Sequence, residues 1–220
     1  MSAPPTPSDD LWPALAEGLE EVCVQGGRDM PAALAFTLSR LPAGDRRPAA
    51  MAVGRLWQAE HGRPYGPGLA CAGLSSRRSG LLLISGRTEA EMLWTMEQAL
   101  RSGAVSMMLG TVENASLAQT RRLEFAARDG EAVGVLLRQT QGGLNAARRR
   151  WRISSVESAL HDDDRRAPGR FRLRAELTRS RQERPGVWML EQDDETHRLR
   201  LADRLAGDGQ GERGRTVVAA

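Results

Sequence analysis

Residues 80–140 read GLLLISGRTEAEMLWTMEQALRSGAVSMMLGTVENASLAQTRRLEFAARDGEAVGVLLRQT, and this stretch decides the fold class. Three short apolar runs, 81–84, 105–109 and 133–137, lack strict alternation, as expected of strands buried on both faces of a parallel sheet. Between them lie two segments with helix start and stop signals. Thr88 and Glu91 have capping-box spacing, in which a hydroxyl and a carboxylate three residues apart each satisfy one orphan amide. Ser116 and Gln119 repeat the box. Arg101 with Gly103, and Arg128 with Gly130, suit helix ends: a cation near the negative pole and a residue able to turn left-handed. Strand, helix, strand, helix, strand is a βαβαβ unit, whose crossovers are nearly always right-handed. The predicted class is α/β, a mostly parallel sheet flanked by helices.

Working upstream, residues 20–25 (EEVCVQ) read as a first buried strand ending at Gly26-Gly27. Asp29 suits a helix cap, with Pro31 in the first turn, where a missing amide costs nothing. Leu34, Leu38 and Leu41 lie at helical spacing on the inner face, and Pro42 ends the helix. Residues 49–57 (AAMAVGRLW) read as a second strand, 61–67 as a loop and 68–74 as a short helical turn. Residues 11–19 have the spacing of a short amphipathic helix. The proline-bearing stretch 1–10 is expected to be disordered or loosely attached.

Downstream of Thr140 the pattern changes. Residues 146–150 are compatible with one or two helical turns, and 150–155, 170–178 and 186–191 with strands. The middle strand alternates: Phe171, Leu173, Ala175 and Leu177 on one face, Arg170, Arg172, Arg174 and Glu176 on the other. That is an antiparallel strand with one wet, basic face, preceded by a loop at 161–169. Residues 197–205 suggest a helix, and the chain end looks disordered. The expected organisation is a disordered start (1–10), one domain (11–192) made of a βα core (11–140) and a basic β extension (141–192), and a largely disordered tail (193–220).

Composition excludes several function classes. The 220 residues are 40% hydrophobic and 27% charged, ordinary for a globular chain with one sizeable core. No apolar run approaches the roughly 20 residues of a membrane span, and the start lacks the basic and apolar regions of a signal peptide. Two cysteines, Cys23 and Cys71, make no disulfide framework. A cytoplasmic protein without membrane contact is the expectation.

All 31 basic residues are arginine, so neither a Schiff-base lysine nor a phosphate-loop lysine exists. Residues 26–33 (GGRDMPAA) occupy the place of a nucleotide-binding loop. They lack its lysine and hydroxyl, and Asp29 would repel phosphate. No aspartate lies between Asp45 and Asp129 to hold magnesium at the end of a later strand. Cys23, Cys71, His61, His161 and His197 lack metal-ligand spacing, and Ser85 lacks a G-x-S-x-G elbow. Glu60-His61 is a weak acid/base pair, and Asp162-Asp163-Asp164 reads as a solvated loop paired with Arg165 and Arg166. No catalytic, metal or cofactor-binding residue, and no cofactor, is expected.

Charge is concentrated late in the chain. Residues 148–184 hold 12 arginines against 6 acids, net +6, while the stretches on either side are slightly acidic. Arg148, Arg149, Arg150, Arg152, Arg170, Arg172 and Arg174, with Trp151 and Phe171 among them, have the pattern of a surface that follows phosphates with aromatic interleaving. A merely solvated strand face in an arginine-rich protein has the same pattern. The functional form of this expectation is weak, salt-sensitive, non-specific DNA binding.

Taken in order, EEVCVQGG, AAMAVGRLWQAEHGRPYGPGLACAGL, RSGLLLISGRTEAEMLW, EQALRSGAVSMMLG and ASLAQTRRLEFAARDGEAVGVLLR resemble a RecA-type recombinase core without a functional P-loop. Tyr65-Gly66-Pro67-Gly68-Leu69-Ala70, the run from Glu91 to Trp94, Thr120-Arg121-Arg122-Leu123, Arg150-Trp151-Arg152-Ile153 and Pro185-Gly186-Val187-Trp188 resemble signatures of the ImuA family. These are SOS-induced, RecA-like accessory proteins of bacterial translesion mutagenesis, and the resemblance covers about residues 18–191. It implies a RecA-like fold and a non-enzymatic place in an error-prone lesion-bypass mutasome, nucleoid-associated after DNA damage. The implied partners are an ImuB-like inactive Y-family polymerase, an error-prone replicative-type polymerase, and RecA. Glu60 falls where RecA places its catalytic glutamate, here without phosphate or magnesium to serve. SulA, a cell-division inhibitor with a related degenerate RecA-like fold, is the competing resemblance.

Overall fold

The computed structural model describes residues 18–41, 45–65, 80–139, 143–161, 164, 166–193 and 199–202. Its elements are β1 Gly18–Val24, α1 Met30–Ser39, β2 Ala49–Gly54, α2 Arg55–His61, β3 Leu81–Gly86, α3 Glu89–Arg101, β4 Met107–Thr111, α4 Leu117–Asp129, β5 Val133–Arg138, β6 Arg149–Ser155, β7 Arg172–Ser180, β8 Gly186–Gln192 and β9 Leu199–Leu201. All nine strands join one sheet in the order β3-β2-β4-β5-β1-β6-β7-β8-β9. From β3 to β6 every pairing is parallel, and β6 to β9 pair antiparallel. The predicted α/β class with C-terminal antiparallel strands is what the chain adopts. The basic β extension is continuous with the core sheet, because β6 pairs directly with β1. No helix among the described residues is long and apolar enough to cross a membrane.

Alternation along the strands builds two cores. On one face Val22, Val24, Met51, Leu109, Val135, Trp151, Ile153, Leu173, Ala175 and Leu177 pack with Ala33 and Phe36 of α1. On the other, Leu19, Ala50, Ala52, Met108 and Leu136 pack with Met92, Met96 and Leu100 of α3 and Leu123, Ala126 and Ala127 of α4. The helix starts follow from the caps. Ser116 Oγ accepts from the Gln119 amide at 3.2 Å and Gln119 Oε1 accepts from the Ser116 amide at 2.8 Å. At α3, Thr88 Oγ1 accepts from the Glu91 amide, while the Glu91 carboxylate turns to the Arg87 amide.

The two helix ends differ from one another. Gly103 takes the left-handed conformation, with φ of 65°. Gly130 does not: its φ is −93°, and the positive φ passes to Glu131 at 48°. What Gly130 supplies is room, because a Cβ there would sit 1.8 Å from the carbonyl oxygen of Leu100. The obstacle is backbone at the end of α3, which cannot swing aside as a side chain can. Gly130→Ala is therefore expected to cost about 1–3 kcal/mol, read as a lower urea midpoint. Gly143→Ala, with nothing within 4 Å of its Cβ position, should leave the midpoint unchanged.

Several sequence expectations give way. Among the described residues β3 pairs only with β2, at the edge of the sheet, and its apolar run is not buried on both faces: Leu82 and Leu83 are 50% and 39% exposed. The run 49–57 is not one strand, since β2 stops at Gly54, the N-cap of α2. Residues 146–150 are not helical: the Ala146 amide bonds Thr120 Oγ1, the Arg148 amide bonds the Leu19 carbonyl, and β6 begins at Arg149. Gly18 and Leu19, predicted to end a helix, belong to β1. Within 197–205, Leu199–Leu201 is strand β9 rather than helix, and it orders part of the tail expected to be disordered. Asp29 precedes α1 but caps nothing with its side chain. Residues 1–17, Pro42 and the predicted turn at 68–74 lie outside the described residues, as do 203–220.

Candidate nucleic-acid interface

β1 carries two adjacent buried acids whose side chains leave opposite faces of the sheet. Glu20 faces α1 and accepts from Arg40 at 2.8 and 3.1 Å, from Arg149 at 2.9 Å and from the Trp151 indole at 3.2 Å. Glu21 faces the other way and accepts from Arg138 at 2.7 Å and from Arg150. Glu124 of α4 accepts from Arg148 at 2.6 Å and from the Leu19 amide at 2.6 Å. The run Arg148-Arg149-Arg150 is thus committed residue by residue to Glu124, Glu20 and Glu21. Parallel pairing of β6 with β1 sets Arg149 beside Glu20 and Arg150 beside Glu21. Arg149 is buried, and its second partner is Glu183. This triplet, the densest basic cluster in the sequence, serves chiefly to bind the extension to the core.

The other four candidate arginines come together on the outer face of the antiparallel strands. Arg174 donates to Glu176 at 2.6 Å and Arg152 reaches the same carboxylate at 3.4 Å. Arg172 and Arg170 donate to Glu191 at 2.7 and 3.2 Å. Arg200 of β9, which the sequence placed in a helix, lies 3.7 Å from both Glu191 and Asp193. Five half-buried or exposed guanidiniums therefore share three carboxylates. Val187 and Met189 of β8 are exposed among them.

The expected aromatic interleaving is absent from this face. Trp151 and Phe171 occupy the alternate, inward positions. Trp151 is fully buried, and Phe171 packs partly against the same core. Period-two alternation decides this: a residue between two outward arginines on a strand faces inward. Among the described residues the face offers cations and aliphatic side chains to a backbone, and no aromatic platform for bases.

Two of the carboxylates paired with arginine, Glu191 and Glu183, titrate low. Burial would push Glu191 up, but the hydrogen bonds and charges of Arg172 and Arg170 outweigh it and hold its carboxyl below the ordinary 4.5. Glu183 is also held below 4.5, first by its hydrogen bond from Arg149. A carboxyl with a lowered folded pKa adds stability that is fully present above its unfolded value and is lost as pH falls through the folded one. Glu191→Gln is thus expected to be less stable than the parent at pH 6, with the gap closing as pH falls below about 4. Thermal unfolding of both proteins across that range checks it; a constant gap would refute the assignment.

At the β1–α1 turn, residues Gly27–Asp29 form a single 3-10 turn. The Asp29 carboxylate accepts from the Ser155 amide at 2.8 Å, tying the turn to the end of β6. Glu60 and His61 stand at the end of α2 near Gly27, 3.9 Å apart. The His61 ring stacks on Trp57 at 4.8 Å. Ser85 accepts from Gln58. Burial pushes the Cys23 thiol up to about 12, reinforced by Glu21, so it is no nucleophile at neutral pH. Cys71, Asp162, Asp163, Arg165 and His197 lie outside the described residues.

Sequence reasoning missed Arg200, because the spacing of its short segment fits helix as well as strand. It noted Trp94 of α3 only within a family signature and passed over Phe125 of α4, both exposed. The available signal was their phase, outside the inward stripes Met92, Met96, Leu100 and Leu123, Ala126, Ala127.

No protein-family model matches the chain. Protein ImuA from two strains of Caulobacter vibrioides is 33% identical over 165 residues, covering 69% of this chain and 66% of those proteins. Cell division inhibitor SulA of Edwardsiella piscicida is 44% identical over 62 residues, 28% of this chain and 37% of that protein. Among solved structures, SulA from Pseudomonas aeruginosa aligns with a TM-score of 0.43 and 23% identity, over 56% of this chain and 98% of that one. The chain thus spans about two thirds of the length of the ImuA proteins it matches, with similarity extending well beyond the part shared with SulA. The chain belongs to the ImuA family.

Proposed function

We propose that the chain is a non-catalytic adaptor of SOS-induced translesion DNA synthesis. In this reading a RecA-like domain brings together an ImuB-like inactive Y-family polymerase, an error-prone replicative-type polymerase and RecA on damaged DNA, in the cytoplasm and at the nucleoid. Membership of the ImuA family carries the reading. The turn chemistry supports a non-enzymatic role: the chain has no lysine, and the carboxylate of Asp29 stands at the start of α1, where a bound phosphate would need amides and a cation. Loss of the gene should remove most damage-induced mutation. An unchanged mutation frequency would overturn the proposal.

Within it, the outer face of β6–β8 holds the DNA backbone weakly through Arg152, Arg170, Arg172 and Arg174, while Arg148, Arg149 and Arg150 anchor the sheet beneath. Arg170, Arg172 and Arg174 changed together to Ala should weaken single-stranded DNA binding and reduce the salt slope by about 2, at roughly 0.7 for each phosphate no longer neutralised. The Arg-to-Gln triple, which keeps side-chain length, separates lost charge from lost packing. Unchanged affinity and slope in both triples would remove this face from the mechanism.

The 62-residue similarity to SulA supports a second reading, an inhibitor of cell division induced by DNA damage. Overexpression distinguishes the two: filamentation with a division protein co-purifying favours inhibition, and normal division favours the adaptor.

A further inference from the structure

The outward arginines of the antiparallel strands are spread over a field rather than strung along a line. Arg172 and Arg174 stand about 7 Å apart along β7, with Arg170 just ahead of them. Arg152 lies one strand away on β6, beside Glu176, and Arg200 lies two strands away on β9, beyond Glu191. Two strand spacings set Arg200 about 10 Å from the β7 arginines, on the other side of β8. The outward side chains of β8 between them are Val187, Met189 and Glu191, the first two 52% and 40% exposed. Among the described residues this field sets five guanidiniums against Glu176, Glu191 and Asp193.

Two observations select the form of DNA that such a field takes. The first is the missing stacking platform. Single-strand binders combine a basic groove with aromatic side chains on which unstacked bases lie, whereas Trp151, Phe171 and Trp188 all pack into the core beneath this face. Binding is left to charge, and the duplex carries the denser charge: each neutralised phosphate releases about 0.9 counterion from B-DNA and about 0.7 from a single strand. The second is the layout. A single strand presents one line of phosphates, while a duplex presents two, on either side of a groove about 6 or 12 Å wide. The arginines of β6 and β7 on one margin and Arg200 on the other flank the β8 strip at a separation between those widths.

We propose that this face prefers duplex DNA to single-stranded DNA. Arg152, Arg170, Arg172 and Arg174 take phosphates on one side of a groove and Arg200 takes them on the other. The proposal rests on the reading of the outer face of β6–β8 as the DNA-binding surface, and adds the form of DNA it takes. On binding, phosphates replace Glu176, now 3.4 Å from Arg152 and 2.6 Å from Arg174, so this carboxylate competes with the ligand.

Fluorescence anisotropy of the full chain, with a strand lacking self-complementarity and the same strand paired with its complement, tests this across a salt series. With four phosphates neutralised in either form, charge density alone favours the duplex about sixfold at 0.1 M salt, with slopes of about −3.6 and about −2.8. Arg200→Gln should weaken duplex binding and leave single-strand binding nearly unchanged. Glu176→Gln, which removes a competing carboxylate and no cation, should tighten both, and Tm checks the fold of each variant. Equal or tighter binding of the single strand, lost when Arg170, Arg172 and Arg174 are changed together to Gln, would overturn the duplex preference and leave the DNA face standing. A duplex preference that survives this triple would place the DNA elsewhere and overturn both readings. Undiminished duplex binding by Arg200→Gln would overturn the two-sided grip.

Discussion

Glu20→Gln is expected to destabilise the protein by about 3–5 kcal/mol, the cost of removing one member of a buried ion pair. The exchange keeps shape and volume and removes only charge. Glu20 is 2% exposed, and its two oxygens serve Arg40, Arg149 and the Trp151 indole. Arg40 is held over the rings of Phe36 and Trp151, at 4.8 and 4.9 Å, and cannot follow its charge into solvent without opening that cluster. Glutamine offers one acceptor oxygen and puts an N–H pair where a guanidinium donates. Replacing the whole network with apolar side chains, Glu20→Leu with Arg40→Met and Arg149→Met, should cost far less than Glu20→Gln alone, because no buried cation is left without its carboxylate. Urea unfolding of the two variants reads the difference. A Glu20→Gln loss below about 1 kcal/mol would place this network in solvent-like surroundings.

Trp151→Ala comes next, at about 3–5 kcal/mol for deleting a large buried aromatic. Its ring sits 5.0 Å from Phe36 and 5.7 Å from Trp188, tilted by 58° and 54°. This cluster holds α1 and β8 to the middle of the sheet. The indole also donates to Glu20, so the losses from Trp151→Ala and Glu20→Gln should fall short of additive in a double-mutant cycle. Trp151→Phe keeps most of the volume and should lose less. DNA affinity and salt slope should be unaltered in Trp151→Phe, since this residue faces away from Arg152 and Arg174. A fall in DNA affinity at unchanged stability would return Trp151 to the interface.

Both predictions rest on residues whose partners are hidden in the sequence. The βαβαβ unit is legible because its signals are local: Ser116 with Gln119 and Thr88 with Glu91 announce helices, and apolar runs between them announce strands. The clean alternation of 170–178 likewise announces the two faces of β7. What the sequence does not carry is which strand lies next to which. Arg148-Arg149-Arg150 resembles a phosphate-tracking cluster, but β6 lies beside β1, where Glu20 and Glu21 take up two of the three charges. The same non-locality hides the edge position of β3, whose leucines match those of a buried strand. Gly130 misleads for another reason. Composition suggests a left-handed turn at a helix-end glycine, whereas its cause here is the carbonyl of Leu100, thirty positions earlier in the chain.

A tagged pull-down from DNA-damaged cells, with and without nuclease, read by mass spectrometry, tests the adaptor function most directly. The adaptor account predicts recovery of the inactive polymerase relative or RecA whether or not nuclease is added. Recovery only without nuclease would mean that DNA does the bridging, and a division protein in place of both would contradict the lesion-bypass role.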